Sequence, residues 1–298
     1  MQNAGINPFR YPPDSSELMH LRDESYPLIN HKGIATIYPP ATQLLFRVAA
    51  LGPPILSQKI LILVFDLLTV FALMVLLRIR GRDPSWVVVY AWNPLVILEF
   101  AGSGHMDVIA IFFFVLALVY LHRERPLLSG AALGFSFLAK FSGLLLVPFL
   151  LVRRRWASLA VFGAMALGGY ALFAEGSGFL SGTRSLFSGA KTYVRDWSFN
   201  GSLYPVVRTV AGSPAVAKFA IAGFVAGLGF WGAWRRWDSA KLSYYLFGAG
   251  ILLTPTLHPW YVLWIVPLLC VFPHPGWLAF SMTVSLSYLV WPIYRATG

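Results

Sequence analysis

The sequence predicts an all-α fold, a polytopic transmembrane helical bundle of about ten spans, some of them short or broken helices. Three observations carry this. Hydrophobic residues make up 57% of the chain and charged residues only 12%, about half the ionic content of a soluble domain, so lipid must solvate most of the surface. The apolar residues come in runs close to the ~20 that an upright crossing needs. The 23 lysines and arginines sit in short clusters between those runs, as the loop charges of a membrane protein do.

Residues 1–58 come first. They open on a polar stretch, MQNAGINPFRYPPDSSELMH, without the pattern of a signal peptide. They close on ATQLLFRVAAL, whose apolar residues recur at helical spacing with Gln43 and Arg47 opposed, which predicts an interfacial amphipathic helix. Spans then follow at roughly 59–78, 85–101, 106–122, 127–139, 141–152, 157–175, 215–234, 241–256, 259–272 and 276–294. The pairs 127–152 and 241–272 contain segments too short to cross alone upright. They are tilted, or they are broken helices meeting at depth, which is tolerated where backbone faces protein or a wet cavity.

Orientation follows from the basic clusters. Arg78, Arg80 and Arg82, then Arg123 and Arg125, then Arg153, Arg154 and Arg155, then Arg235, Arg236 and Lys241 all fall on one side if each segment crosses once. The opposite turns, GSGHMD and TPTLHPWY, carry no lysine or arginine. The positive-inside rule makes the clustered side cytoplasmic. The chain then divides into an external loop with an interfacial helix (1–58) and a transmembrane helical domain (59–298) with a second external loop, 176–214. That loop interleaves Phe179, Phe187, Tyr193, Trp197, Phe199 and Tyr204 with Arg184, Lys191, Arg195 and Arg208. Its aromatics serve either as headgroup anchors or as the floor for a sugar or lipid head.

The same distribution argues against nucleic acid as the reason for a net charge of +11, because the basic residues sit in short clusters between apolar runs and form no aromatic–basic binding motif for RNA or DNA. The single cysteine, Cys270, permits no internal disulfide.

A charge at mid-bilayer costs about 2.5–3.5 kcal/mol on insertion scales, so each intramembrane ionisable residue is a functional candidate. Asp66, inside LILVFDLLTVFALM, reads as a cavity carboxylate or, more simply, as a structural pair to a polar neighbour. Glu99, His105 and Asp107 flank the turn in NPLVILEFAGSGHMDVIAIFFF. A carboxylate in the first turn of a helix can merely cap it, yet His, Asp and Glu so close together also suit sugar-hydroxyl binding or proton transfer. As a metal site the group is incomplete. Lys140, between two short apolar segments, offers a point charge for a phosphate arriving from the lipid side, or it snorkels. His258 stands at a turn broken by Pro255 and Pro259, beside Trp260 and Tyr261, where backbone groups and imidazole can face a cavity.

Taken together, AGINPFRYPPDSSELMHLRDESYPLINHKGIATIYPP, NPLVILEFAGSGHMDVIA, GFSFLAKFSGLLLVP, WSFNGSLYPV and HPWYVLWIVPLL resemble the bacterial GT-C membrane glycosyltransferases, particularly the polyprenyl-phosphate-mannose-dependent mannosyltransferase-like group. The resemblance spans nearly the whole chain in order, and it does not specify the sugar. It implies an enzyme of a bacterial plasma (inner) membrane, active on its periplasmic or extracellular side. Such an enzyme passes a sugar, mannose foremost, from a polyprenyl-phosphate donor to a lipid or glycan acceptor. It implies Lys140, His258 and Arg195 as partners of the donor phosphate. His105, Glu99, Asn7, Arg10, Asn30, Tyr38, Asn200, Trp260 and Tyr261 would contact sugar or acceptor. No cofactor is certain from it, and a divalent cation stays open. In relatives a first span and an Asp-rich segment with a Trp-Asp-Gly-like motif precede the AGINPFRY-like stretch, so the resemblance puts the usual base upstream of Met1 and leaves Asp107 as the catalytic carboxylate within the chain. The competing expectations are a transporter or lipid flippase, and an inactive truncated relative.

Overall fold

The computed structural model describes residues 1–174 and 186–290. Phe179 and Arg184 of the second loop, and the end of the last expected span, lie outside them. The described residues form a helical membrane bundle without named strands. After an irregular segment with short 3-10 turns come α1 (Pro40–Ala49), α2 (Pro54–Ile79), two short pieces α3 (Val88–Ala91) and α4 (Pro94–Val96), then α5 (Asp107–His122), α6 (Pro126–Lys140), α7 (Val147–Val152) and α8 (Trp156–Ala171). Beyond the undescribed stretch follow α9 (Ser188–Asp196), α10 (Tyr204–Ala211), α11 (Pro214–Trp234), α12 (Ser239–Leu253), α13 (Val266–Leu269) and α14 (Pro275–Thr283). Prolines open many of these helices, where their missing N–H is an orphan in any case.

Among the described residues two helices, within Pro54–Ile79 and at Pro214–Trp234, are long and apolar enough to cross a bilayer alone; the pair Pro84–Ala91 and Pro94–Gly102, bent by 54°, makes a third if it is one span. The other expected crossings are shorter or interrupted. Residues 141–152 divide into a 3-10 turn (Ser142–Leu146) and α7, and 259–272 into a 3-10 turn (Pro259–Trp264) and α13. Prolines within these stretches and the left-handed Phe141, at φ +64°, are the physical reason. Exposed apolar side chains on α2 (Phe71, 64%) and α11 (Phe219, 79%) form patches that lipid, not water, must cover.

One expectation is reversed at α1. The sequence opposes Gln43 to the apolar face, yet Thr42 and Gln43 are buried, while Leu44, Val48 and Leu51 stand exposed. Burial is tolerated because each polar group is satisfied. Thr42 Oγ1 donates to the Ala139 carbonyl at 2.8 Å. Gln43 Nε2 donates to Thr36 Oγ1 at 2.6 Å and to the Tyr38 carbonyl at 3.2 Å. Thr42 thus ties the helix to α6 and Gln43 ties it to the preceding segment, while Leu44, Arg47 and Val48 face outward. Asp66 meets the structural expectation: Tyr90 donates its hydroxyl to Oδ1 at 2.7 Å.

The bundle has two chemically distinct ends. At one, Arg80 donates from Nη1 to Asp238 Oδ1 at 2.7 Å and to His122 Nε2 at 2.8 Å, and Arg155 pairs with Glu124. The basic turns therefore converge. At the other end of α5, whose 16 residues measure about 24 Å, stands Asp107.

Candidate functional site

A cavity of about 440 Å³ opens at the Asp107 end. Among the described residues its lining includes the polar or charged Tyr38, Asp107, Lys140, Ser142, Tyr193, Thr254, Tyr261 and Trp264, and the apolar Leu145, Val225, Leu246, Phe247 and Ile251. Among the described residues Lys140 is the one cation in the lining.

Local breaks in helices bring these groups together. Gly104 turns the chain at φ +81°, a conformation that suits glycine, and α5 begins three residues later with Asp107. Lys140 is the last residue of α6: Phe141 ends the helix in the left-handed region, its N–H donating to the Phe137 carbonyl at 2.8 Å. Gly143 lies so close to α6 that a Cβ would collide with the Leu133 carbonyl. The broken helix therefore delivers Lys140 into the bundle instead of carrying it to a surface.

There Lys140 Nζ lies 3.1 Å from Asp107 Oδ2 and 4.9 Å from the centre of the Tyr38 ring. Trp264 Nε1 donates to Asp107 Oδ1 at 3.1 Å. Asp107 is fully buried and Lys140 21% exposed. Asp107 stands in the first turn of α5, and both of its oxygens are engaged by side chains of other elements, Lys140 and Trp264. Tyr193, carried by α9, hydrogen-bonds Tyr261 through their hydroxyls. A Cβ at Gly189 would strike the backbone of Ala35 and Thr36, so glycine is what lets α9 lie against the segment leading to Tyr38.

Beside the cavity runs a second polar group. Glu99 lies in a π-helical turn (Ile97–Gly102), a distortion frequent at functional sites. Its Oε1 accepts from the Tyr288 hydroxyl at 2.7 Å, and Oε2 lies 2.9 Å from His105 Nδ1. Trp260 is sandwiched between the rings of His105 (4.1 Å) and His258 (4.0 Å). Burial, then the neighbouring His105 and Lys140, lower His258 to about 4 against the pull of Asp107 and Glu99. The imidazole is therefore neutral at pH 7, a hydrogen-bonding group and not a cation.

The turn bearing His258 is tied down by the WSFNGSLYPV stretch. Asn200 Nδ2 donates to the Leu257 carbonyl at 3.1 Å, and the Leu257 N–H to the Phe199 carbonyl at 3.1 Å. Asn200 thus acts as a tether for the turn. Asn7 does likewise, donating from Nδ2 to the Phe173 carbonyl at 2.7 Å. Arg10 lies over the Tyr11 ring and Asn30 is exposed, both away from the cavity lining. Arg195 is exposed and paired with Asp196, with Nε 2.6 Å from Oδ1; the structure does not bring it to Lys140.

Sequence reasoning passed over Trp264 and Tyr288. Trp264 had a signal, since it follows Tyr261 by three positions in HPWYVLW, the spacing that puts two side chains on one side of a 3-10 turn. Tyr288 had none beyond being a polar ring in an apolar run. Among the described residues no group of three or more His, Cys, Asp or Glu is placed to hold a metal ion.

Glycosyltransferase family 87 matches the chain over residues 36–257, a stretch that includes every cavity-lining residue except Tyr261 and Trp264. No curated protein and no solved structure matches it.

Proposed function

The chain belongs to glycosyltransferase family 87, and from that premise we propose that it transfers a sugar from a polyprenyl-phosphate donor to a lipid or glycan acceptor, with mannose as the sugar. The supporting observation is the cavity itself, whose described lining joins one lysine to a set of apolar residues. A lipid phosphate has that same profile, an anion carried on hydrocarbon. When the bond from the anomeric carbon to the phosphate oxygen breaks, negative charge builds on the leaving phosphate, and a preorganised cation in a site of low dielectric stabilises it best.

In this proposal Lys140 meets the phosphate, and Asp107, itself held by the Trp264 indole, keeps the ammonium in place. Tyr38, Tyr193 and Tyr261 supply hydroxyls for the sugar, while neutral His258 donates or accepts a hydrogen bond. Leu145, Val225, Leu246, Phe247 and Ile251 receive the first prenyl units. The positive-inside rule puts the arginine-bearing end in the cytosol of a bacterial inner membrane, and so the cavity on the periplasmic or extracellular side. Arg195, exposed and paired with its neighbour Asp196, is not assigned a role in this proposal.

A transporter or flippase draws support from the bent pair at Pro84–Gly102 and the buried ion pair. One assay separates the two. The chain is purified into nanodiscs with sugar-labelled polyprenyl-phosphate mannose and n-octyl mannoside as acceptor. Labelled product with release of polyprenyl phosphate is the expected outcome, lost by about 10²–10³ in kcat on Lys140→Met, the size of removing one charge-stabilising donor. No covalent product, together with movement of the lipid across a liposome membrane, would overturn the proposal in favour of transport.

A further inference from the structure

We infer that Gly250 is a specificity-determining residue: the space left by its missing side chain receives a methyl branch of the donor's first isoprene units, so the cavity selects a branched prenyl chain over a straight one. The inference rests on the reading above in which Lys140 meets the phosphate of a lipid donor.

Glycine is the least favourable residue in a helix interior apart from proline, so one that stands there calls for a cause. Two causes are common, a left-handed backbone and the close approach of another segment. Gly250 has neither. It lies inside α12, where the Thr254 N–H donates to its carbonyl at 2.9 Å in an ordinary helical bond. A Cβ built on it would meet nothing within 4 Å. Nearby glycines differ. A Cβ at Gly229 of α11 would stand 3.1 Å from Pro148 Cγ, and one at Gly248 of α12 would stand 3.3 Å from the Trp277 ring. The protein itself uses the room those two leave.

Position decides what uses the room at Gly250. Leu246, Phe247, Gly250, Ile251 and Thr254 all line the cavity, and their spacing puts them on one face of a helix. Gly250 stands four residues from Leu246 and four from Thr254, a gap between two larger side chains. One contact links this face to the phosphate-binding lysine. Phe247 stacks on Trp264 with ring centres 5.5 Å apart, and Trp264 Nε1 donates to Asp107, the partner of Lys140.

A prenyl chain differs from an ordinary acyl or alkyl chain in carrying a methyl group on the third carbon from its phosphate oxygen and on every fourth carbon after that. A straight chain leaves the notch at Gly250 empty and forfeits its dispersion contacts, whereas a methyl branch fills it. A side chain at position 250 closes the notch to the branch and takes nothing from the straight chain.

The test measures displacement of labelled polyprenyl phosphate from the full chain in nanodiscs by phytanyl phosphate and by n-hexadecyl phosphate. These are saturated lipids of equal main-chain length that differ only in methyl branches. The unaltered chain is expected to bind the branched phosphate more tightly by about 10-fold or more, the size of a methylene's discrimination in an apolar pocket. Gly250→Ala should weaken the branched phosphate by the same factor and leave the straight one nearly unchanged. It should also melt no earlier than the unaltered chain, because alanine favours the helix. Gly223→Ala on α11 is the control, an exposed helical glycine equally open around its Cβ and outside this cavity's lining; it should keep the preference. Equal binding of the two phosphates by the unaltered chain would overturn the role of Gly250 alone. So would a Gly250→Ala protein that retains the preference, melts earlier or loses both lipids alike. No displacement by either phosphate, or displacement that Lys140→Met leaves unchanged, would overturn this role and the phosphate reading together.

Discussion

Replacing Lys140 by Met should unfold the bundle more readily than any surface change, and the ion pair gives the size of the effect. At 3.1 Å and an effective dielectric of about 20, two unit charges attract by about 5 kcal/mol, much of which the desolvation of both partners takes back. What remains is asymmetric. Lys140→Met strips the counter-charge from a carboxylate with no exposed surface, leaving it only the Trp264 indole, and breaking a buried pair in this way costs about 3–5 kcal/mol. Asp107→Asn leaves an ammonium that keeps 21% exposure and the Tyr38 ring, so about 1–3 kcal/mol is expected. The double variant carries no buried charge and should be more stable than Lys140→Met alone. Reversible unfolding by SDS in bicelles reads all three. A Lys140→Met protein within the ±0.5 kcal/mol typical of surface substitutions, or a double variant worse than both singles, would refute the reasoning.

Three further outcomes follow from the same geometry. Burial raises the Asp238 carboxyl, but the Arg80 hydrogen bond and the Lys241 amide outweigh it and hold the group below its usual range. Its contribution to stability is thus full at neutral pH and lost as pH falls through the lowered value, and Asp238→Asn should flatten the acid limb of a Tm–pH curve. His258 tilts the curve in the same sense over a higher window: with a folded value of about 4 against 6.5, the unfolded chain binds its proton first on acidification. Stability should therefore rise between about pH 4 and 6.5, and His258→Gln should remove that slope in the same melting series. Gly143→Ala places a methyl against the Leu133 carbonyl and the Phe137 N–H, rigid backbone on both counts, and should cost about 1–3 kcal/mol in the SDS titration.

The bundle was legible because lipid leaves so simple a trace. Apolar runs between arginine turns foretell the helices, and the contacts of Arg80 with His122 and Asp238 bear out the convergence of those turns. Helix continuity was less legible. The stretch 85–101 reads as one crossing, whereas the break before Pro94 sets Pro84–Ala91 and Pro94–Gly102 at 54° to each other, and hydropathy carries no information about bending. The residue types of the site were legible too, since Glu99, His105, Asp107 and Lys140 stand out against hydrocarbon. Their pairing was not. Asp107 and Lys140 are 33 positions apart, and only the left-handed turn at Phe141 and the close approach at Gly143 decide that the lysine points inward. Gln43 shows the same limit: a polar residue on an amphipathic helix faces water or protein according to partners, here Thr36 and Tyr38, that periodicity cannot name.

The central claim, that the cavity at Lys140 holds the donor's phosphate and first prenyl units, is tested most directly by photo-crosslinking. A polyprenyl-phosphate analogue with a diazirine in its first isoprene units is irradiated with the protein in nanodiscs, and the modified peptides are mapped. Adducts on the α12 wall at Leu246–Ile251, displaced by excess polyprenyl phosphate and lost in Lys140→Met, are the predicted result. Adducts confined to the lipid-facing surfaces of α2 and α11 and indifferent to competitor would contradict it.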